Sequence, residues 1–483
     1  MAGIGFRLKK ALAEETYTGL VKGYMFAAVI AAGPWIFSVV SINALSFFIT
    51  RNFSKEDFQF FNALITYSFC FSLILLGSFD TVITRYLSDK LYFQEKHMLT
   101  SSFSTMWIFV LLFFSLFALP FYYLNDISPF FKIMGFTFFL CLGSIWLCML
   151  FLGSAKKYVP IVLSFVIGGF LSFILGRYLG TLYGLEGVFL GYVAGQCATL
   201  FVLLWRVYAE FSFTPFFSIE WLTYFKKYPL LIFVGLFLNL GIWIDKILFW
   251  YSAEDGKQVI SLFYNDENYG SPVFIAYLTM IPVLTLFLVR IETSFYIYYR
   301  KYFDAIDTKK GLKEILKRKE ELVKSIQTSI PPVMQIQGFL TAVAIYFAPQ
   351  IVDFFHFPST SAAIFRIATL AVFMQSLFML MNILLLYLLE YKKVILVNFI
   401  FFVTNFILTK LCFKLGFTFW GFGFFVASAI AFVLSYFFLS RQLKDLEFKT
   451  FFGQPLVQPR MYKTQSQEPS ETLITPQELL EEK

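Results

Sequence analysis

Apolar residues in this chain run in long blocks separated by short polar breaks. Crossing a bilayer takes about 20 apolar residues. Twelve blocks qualify, at approximately 23–50, 58–84, 102–124, 129–153, 158–178, 183–205, 229–251, 272–298, 329–352, 364–388, 394–413 and 417–439. The expected fold is an all-α polytopic membrane protein of twelve transmembrane helices in two halves of six. The expected divisions are 1–206 (first bundle), 207–228 (connector), 229–440 (second bundle) and 441–483 (tail). The tail beyond 462 has a disordered composition, rich in Gln, Ser, Glu, Pro and Thr.

Charge orients these spans. With the N-terminus inside, 29 of the 39 Lys and Arg fall in inner segments and 7 in outer ones. That bias predicts cytoplasmic termini. The basic stretch Arg7, Lys9, Lys10, Lys22 precedes an uncharged run from Gly23 to Thr50, too long for the roughly 7–15-residue core of a signal peptide. It is expected to stay as the first span. The whole chain is 58% hydrophobic and 14% charged, about half the charge of a soluble domain. The net charge of +8 follows from residues flanking spans and is no sign of nucleic-acid binding.

The two halves echo each other faintly. Asp80-Thr81 with Tyr86 matches Glu292-Thr293 with Tyr298, and Gly187, Gly191, Gly195 match Gly421, Gly423, Ala427. Gly176, Gly180 and Gly184, with the latter three glycines, suit close helix packing between spans 5 and 6. Gly33-Pro34 sits mid-span, where proline removes a backbone donor; it is a candidate hinge or a fixed bend. Residues 310–330 carry Leu312, Ile315, Leu316, Val323, Ile326 and Ile330 at helical spacing among many charges. They are expected to form a basic amphipathic helix on the inner leaflet, or a docking surface through Lys313, Lys317, Arg318 and Lys319.

Candidate chemistry lies in charges placed inside spans, where charge is costly. Asp245 and Lys246 in span 7, Arg290 and Glu292 in span 8, and Asp80 and Arg85 in span 2 are candidates for a transport path. The alternative for each is a snorkelling residue or a structural ion pair. Asp245 and Lys246 are about 100° apart on a helix, so each is expected to seek a partner other than its neighbour. Trp243 beside them suits stacking on sugar rings. The five cysteines form no CxxC, and His97 and His356 have no ligand spacing, so neither a metal nor a cofactor is expected. Walker A, GxSxG and HExxH sequences are absent, and a transporter is expected rather than an enzyme.

Several stretches together resemble the PelG family, the inner-membrane transporters of the Pel exopolysaccharide system. They are MAGIGFRLKK, TYTGLVKGY and GPW near the start, Thr84–Tyr92, Gly241–Ser252, Ile281–Ile306 and the late LEFKTFFGQP. One departure is Arg7, where the family pattern has an acidic residue. The resemblance implies the multidrug/oligosaccharidyl-lipid/polysaccharide flippase superfamily, and with it two six-helix bundles around a central cavity. It further implies an amino-sugar-rich polymer made by a cytosolic glycosyltransferase, and membrane partners of the Pel synthesis complex including a cyclic-di-GMP receptor. It supplies no established site residues. Within transport, a lipid-linked oligosaccharide flippase or small-molecule antiporter is the alternative; outside it, a structural anchor of the synthase.

Overall fold

The computed structural model describes residues 17–93, 95–211, 217–266, 268–290, 295–355 and 357–452. The tail beyond 452, the first 16 residues, Glu292 and His356 lie outside these, as do the side chains of Arg290 and His97. "Inner" denotes below the end where Lys and Arg concentrate and "outer" the opposite end.

The first lobe contains helices Tyr17–Asn52, Lys55–Gly77, Lys96–Leu124, Pro129–Ser154 and Tyr158–Phe211. The last is 54 residues long, but Gly184 within it has φ 64° and ψ −146°. A left-handed residue costs glycine little, and it folds this stretch into spans 5 and 6. The glycine expectation holds there. A Cβ on Gly191 would lie 2.2 Å from the Gly176 backbone nitrogen, and one on Gly187 2.0 Å from the Leu179 carbonyl oxygen. The two backbones touch because no side chains intervene. The sixth and twelfth spans use the same device: a Cβ on Gly423 would lie 2.6 Å from the Thr409 nitrogen of span 11.

The second lobe contains Leu231–Trp250, Leu312–Tyr346, Ser361–Tyr387, Tyr391–Leu415 and Phe422–Lys444, with span 8 made of shorter pieces. Asparagines stitch it where glycines stitch the first. Asn398 donates to the Val234 carbonyl (2.8 Å) and Asn405 to that of Gly241 (2.9 Å). Both pairs are seven residues apart along their helices, so two turns of span 11 register against two of span 7. In the bilayer these amides have no water to fall back on, and pairing them specifies the register.

Three spans differ from expectation. Span 2 stops at Gly77, and a second helix, Asp80–Tyr92, starts after Phe79, whose φ/ψ of −142°/−11° is not helical. An apolar run conceals such a break, since hydropathy does not register backbone angles. Span 8 is divided into Gly270–Leu278 and Ile281–Arg290, followed by Tyr296–Asp307. The basic 310–330 segment does not lie on the leaflet as a separate helix. It is the first half of one 35-residue helix, Leu312–Tyr346, which continues into span 9 and meets Ala348–Phe354 at a 70° bend. Its buried residues Ile315, Leu322 and Ile326 pack on Tyr302, Ala305 and Leu446. Ile315 and Ile326 of the apolar stripe are therefore covered by protein, while Leu312 and Leu316 stay exposed. The helix through Gly33-Pro34 is continuous from Tyr17 to Asn52, and Ser38 Oγ donates to the Pro34 carbonyl at 2.9 Å.

Candidate transport seam between the lobes

The lobes meet along spans 2 and 7. Leu236, Leu240, Trp243, Ile247 and Trp250, spaced alternately four and three residues, pack against the first lobe's core. That is the seam spacing of helices crossing at a shallow angle. At its inner third, Gly77 and Gly235 bring the backbones together, for a Cβ on Gly77 would lie 2.6 Å from the Gly235 oxygen. Asp80 sits on this contact. Its Oδ1 accepts from the Thr81 nitrogen (2.5 Å) and Thr81 Oγ1 (2.8 Å), and a Cβ on Gly235 would come within 2.4 Å of it. Spans 1 and 8 meet through Trp35 and Phe274, edge to face at 6.3 Å.

The outer end is closed by a hairpin. Residues Gly256–Ile260 (β1) and Phe263–Asp266 (β2) pair antiparallel, in a stretch legible from sequence only as a loop. Phe263 is fully buried and packs against Phe60, Tyr67 and Phe121 at centroid distances of 5.9, 5.2 and 5.3 Å. The hairpin backbone bonds across the seam as well. Leu262 donates to Asn125 Oδ1 (2.9 Å) and Tyr264 to the Tyr67 hydroxyl (3.0 Å). The Asp126 amide donates to Ser261 Oγ (2.9 Å). Tyr67 also stacks on Trp250 at 4.6 Å. Tyr67, Phe71, Phe117, Phe121 and Tyr122 together wall a cavity of about 360 Å³.

The inner end is held by polar contacts around an arginine. Arg85 of the first lobe reaches Asp89 (3.3 Å), the Tyr391 hydroxyl (3.5 Å) and the Tyr228 ring (5.7 Å). Tyr224 donates to Asp89 at 3.2 Å. Nearby, Lys90 bonds Glu95 at 2.6 Å and Glu220 at 2.9 Å. Burial pulls this ammonium's pKa down, but the two carboxylates outweigh it and hold it above its ordinary value.

Asp245 and Lys246 lie elsewhere, inside the second lobe, and they do neutralise each other. Lys246 Nζ is 3.1 and 3.0 Å from the two Asp245 oxygens and 2.8 Å from the Ile242 carbonyl. A wheel diagram treats side chains as short spokes, whereas four methylenes let a lysine curl back across 100°. Asp245 is fully buried and also accepts from the Tyr269 hydroxyl at 2.7 Å; the ammonium lies over the Tyr277 and Phe424 rings at 5.2 and 4.7 Å. Tyr277 in turn donates to Gln375 at 2.8 Å. Tyr269 and Tyr277 went unremarked in the sequence; tyrosines spaced eight apart in an apolar run were their only signal. Tyr269 also ties this pair to the hairpin, since Asp255 accepts from its amide (3.2 Å) and from Asn268. Asp266 accepts from Gly270 (2.9 Å). Burial, reinforced by Asp255, raises its pKa to about 7.

The charges expected to share one cavity therefore occupy three places. Asp80 and Arg85 lie along the inner seam, Trp243 at mid-seam, and Asp245–Lys246 within the second lobe. Of the four basic residues expected to dock a partner, two are already engaged. Arg318 pairs with Glu314 (2.8 Å) and Glu321 (2.9 Å), and Lys319 pairs with Glu447. Lys313 and Lys317 are exposed.

Residues 1–451 match a family described as "PelG: Putative exopolysaccharide Exporter (EPS-E)". The chain belongs to the PelG family. No curated protein sequence matches it. Among solved structures, it is similar to a MATE protein in the bent conformation, with a TM-score of 0.65 and 12% identity over 93% of this chain and 100% of that one. The straight conformation gives 0.61 with 13% identity over 88% and 96%. An outward-facing multidrug resistance MATE family transporter of the MOP superfamily gives 0.58 with 12% identity over 88% and 97%. At these identities the likeness establishes the fold: twelve membrane helices in two bundles. This PelG family member is thus a multi-pass membrane transporter, not an enzyme.

Proposed function

We propose that this protein carries a Pel-type, amino-sugar-rich exopolysaccharide across the bacterial inner membrane, with both termini in the cytoplasm. The observation that carries the reading is the family match over residues 1–451. The transporter fold supports it, as does a seam closed by separate contact sets at its two ends, which permits opening one end at a time. The aromatic wall beside Tyr67 offers faces on which sugar rings stack. The polymer arrives from a cytosolic glycosyltransferase of the Pel synthesis complex, which docks on the exposed Lys313 and Lys317 of the span 9 extension. Gly33-Pro34 serves as the bend about which span 1 moves.

The test is deletion and restoration of the gene, scoring hexosamine polymer inside and outside the cell separately. Polymer trapped inside the deletion strain is the expected result. Absence of polymer from both compartments would instead make the protein a component of synthesis.

A further inference from the structure

The outer face of the second lobe carries two cations that neither the seam nor the fold uses. Lys410 and Lys414 stand one turn apart near the outer end of span 11, on the same helix side, where like charges repel. Neither forms an ion pair among the described residues. With Glu254 they edge a pocket of about 480 Å³ whose remaining wall includes Ile247, Leu248 and Phe413. A snorkelling lysine would extend toward water. Lys410 instead folds back one turn toward the bilayer, its ammonium over the Phe406 ring at 4.4 Å. Exposed Leu411 and Leu415 flank the pair, so the surroundings are those of a leaflet edge.

We propose that this pocket between spans 7 and 11 is a binding site for an anionic phospholipid. Its phosphate sits between the Lys410 and Lys414 ammoniums, and its acyl chains lie against Ile247, Leu248 and Phe413. Two lysines and Glu254 sum to one net positive charge, which a monoanionic headgroup cancels and a zwitterionic one does not. The apolar wall suits acyl chains and gives nothing to a free inorganic anion. The site borders the seam at Ile247 but opens between spans 7 and 11, and it stands independently of what the protein transports.

The test uses the full chain purified in detergent, with phosphatidylglycerol and phosphatidylcholine added in equal amounts and retention read by native mass spectrometry. The wild type should retain phosphatidylglycerol preferentially. The pair Lys410→Gln and Lys414→Gln should cut that retention about tenfold and leave phosphatidylcholine unchanged, while Lys410→Arg with Lys414→Arg keeps it. Millimolar inorganic phosphate should not displace the lipid. Equal retention of the two lipids by wild type, undiminished phosphatidylglycerol on the glutamine variant, or displacement by phosphate would each overturn the proposal. The arginine variant controls for folding, because both substitutions are at exposed positions.

Discussion

The two ends of the seam are closed by different physics. At the outer end a fully buried phenylalanine sits among three rings, with backbone groups of the hairpin bonded to the opposite lobe. Opening it exposes aromatic surface and unpairs several backbone donors at once. At the inner end a partly exposed arginine, held by Asp89 of its own helix at 3.3 Å, reaches one hydroxyl of the second lobe at 3.5 Å. Contacts of that kind contribute about 0–1 kcal/mol each, whereas removing a buried phenylalanine side chain costs about 3–5 kcal/mol. The difference teaches that the inner mouth yields readily to a partner or substrate, while the outer mouth needs a strong reason to open. On the export route proposed above, a polymer entering from the cytosol meets the weak gate first.

Four changes should break or sharpen that contrast. The largest concerns the buried pair that Tyr269 links to the hairpin. Asp245→Asn strands the Lys246 ammonium, at a cost of about 3–5 kcal/mol, and should lower both the melting temperature and the protein level. Asp245→Leu with Lys246→Met should recover most of that loss, and export by this double variant decides whether the charges serve transport or only structure. Next, Phe263→Ala should weaken outer closure by about 3 kcal/mol, read as faster labelling of a cysteine at Tyr67 by an impermeant reagent from outside. A smaller effect is expected from Arg85→Gln, about 1 kcal/mol, which should raise labelling at the inner mouth and leave the outer mouth unaffected.

The smallest is a pH effect on the hairpin. Asp266 has a folded pKa of about 7, above that of a free carboxyl. The protonated form is favoured when the hairpin is seated. Its contribution is therefore fully present below about pH 4 and is lost as pH rises through about 7. Protection of the β1 and β2 amides, corrected for the intrinsic pH dependence of exchange, should fall from pH 5 to pH 7, and Asp266→Asn should flatten that fall. An unchanged slope in the variant would assign the effect to another group.

Much of this architecture was legible in the chain. The helical, membrane-spanning character of the chain and the glycine packing of spans 5 and 6 follow from hydropathy and residue size, which act locally. The candidate site was legible only in part. Asp80, Arg85 and Trp243 stand on the seam, but their positions rest on breaks and turns that an apolar run conceals. The pairing of Asp245 with Lys246 depends on side-chain reach, which residue spacing does not express. Lys319 finds Glu447 through a fold contact 128 residues away, so its basic character alone promised a free docking residue. The hairpin was hidden because β1 and β2 are too short to show a clear alternation, and only the first lobe's aromatic wall makes them a plug.

The central claim is that the hairpin must leave the first lobe for polymer to pass. The Asp126 amide and Ser261 Oγ are 2.9 Å apart across the outer seam, so cysteines at these two positions lie within reach of a disulfide. Polymer export should be measured in cells carrying Asp126→Cys with Ser261→Cys, under oxidising conditions and again after a reductant. Export that stops on cross-linking and returns on reduction is the predicted result. Undiminished export from fully cross-linked protein would contradict the account and place the path somewhere other than this seam.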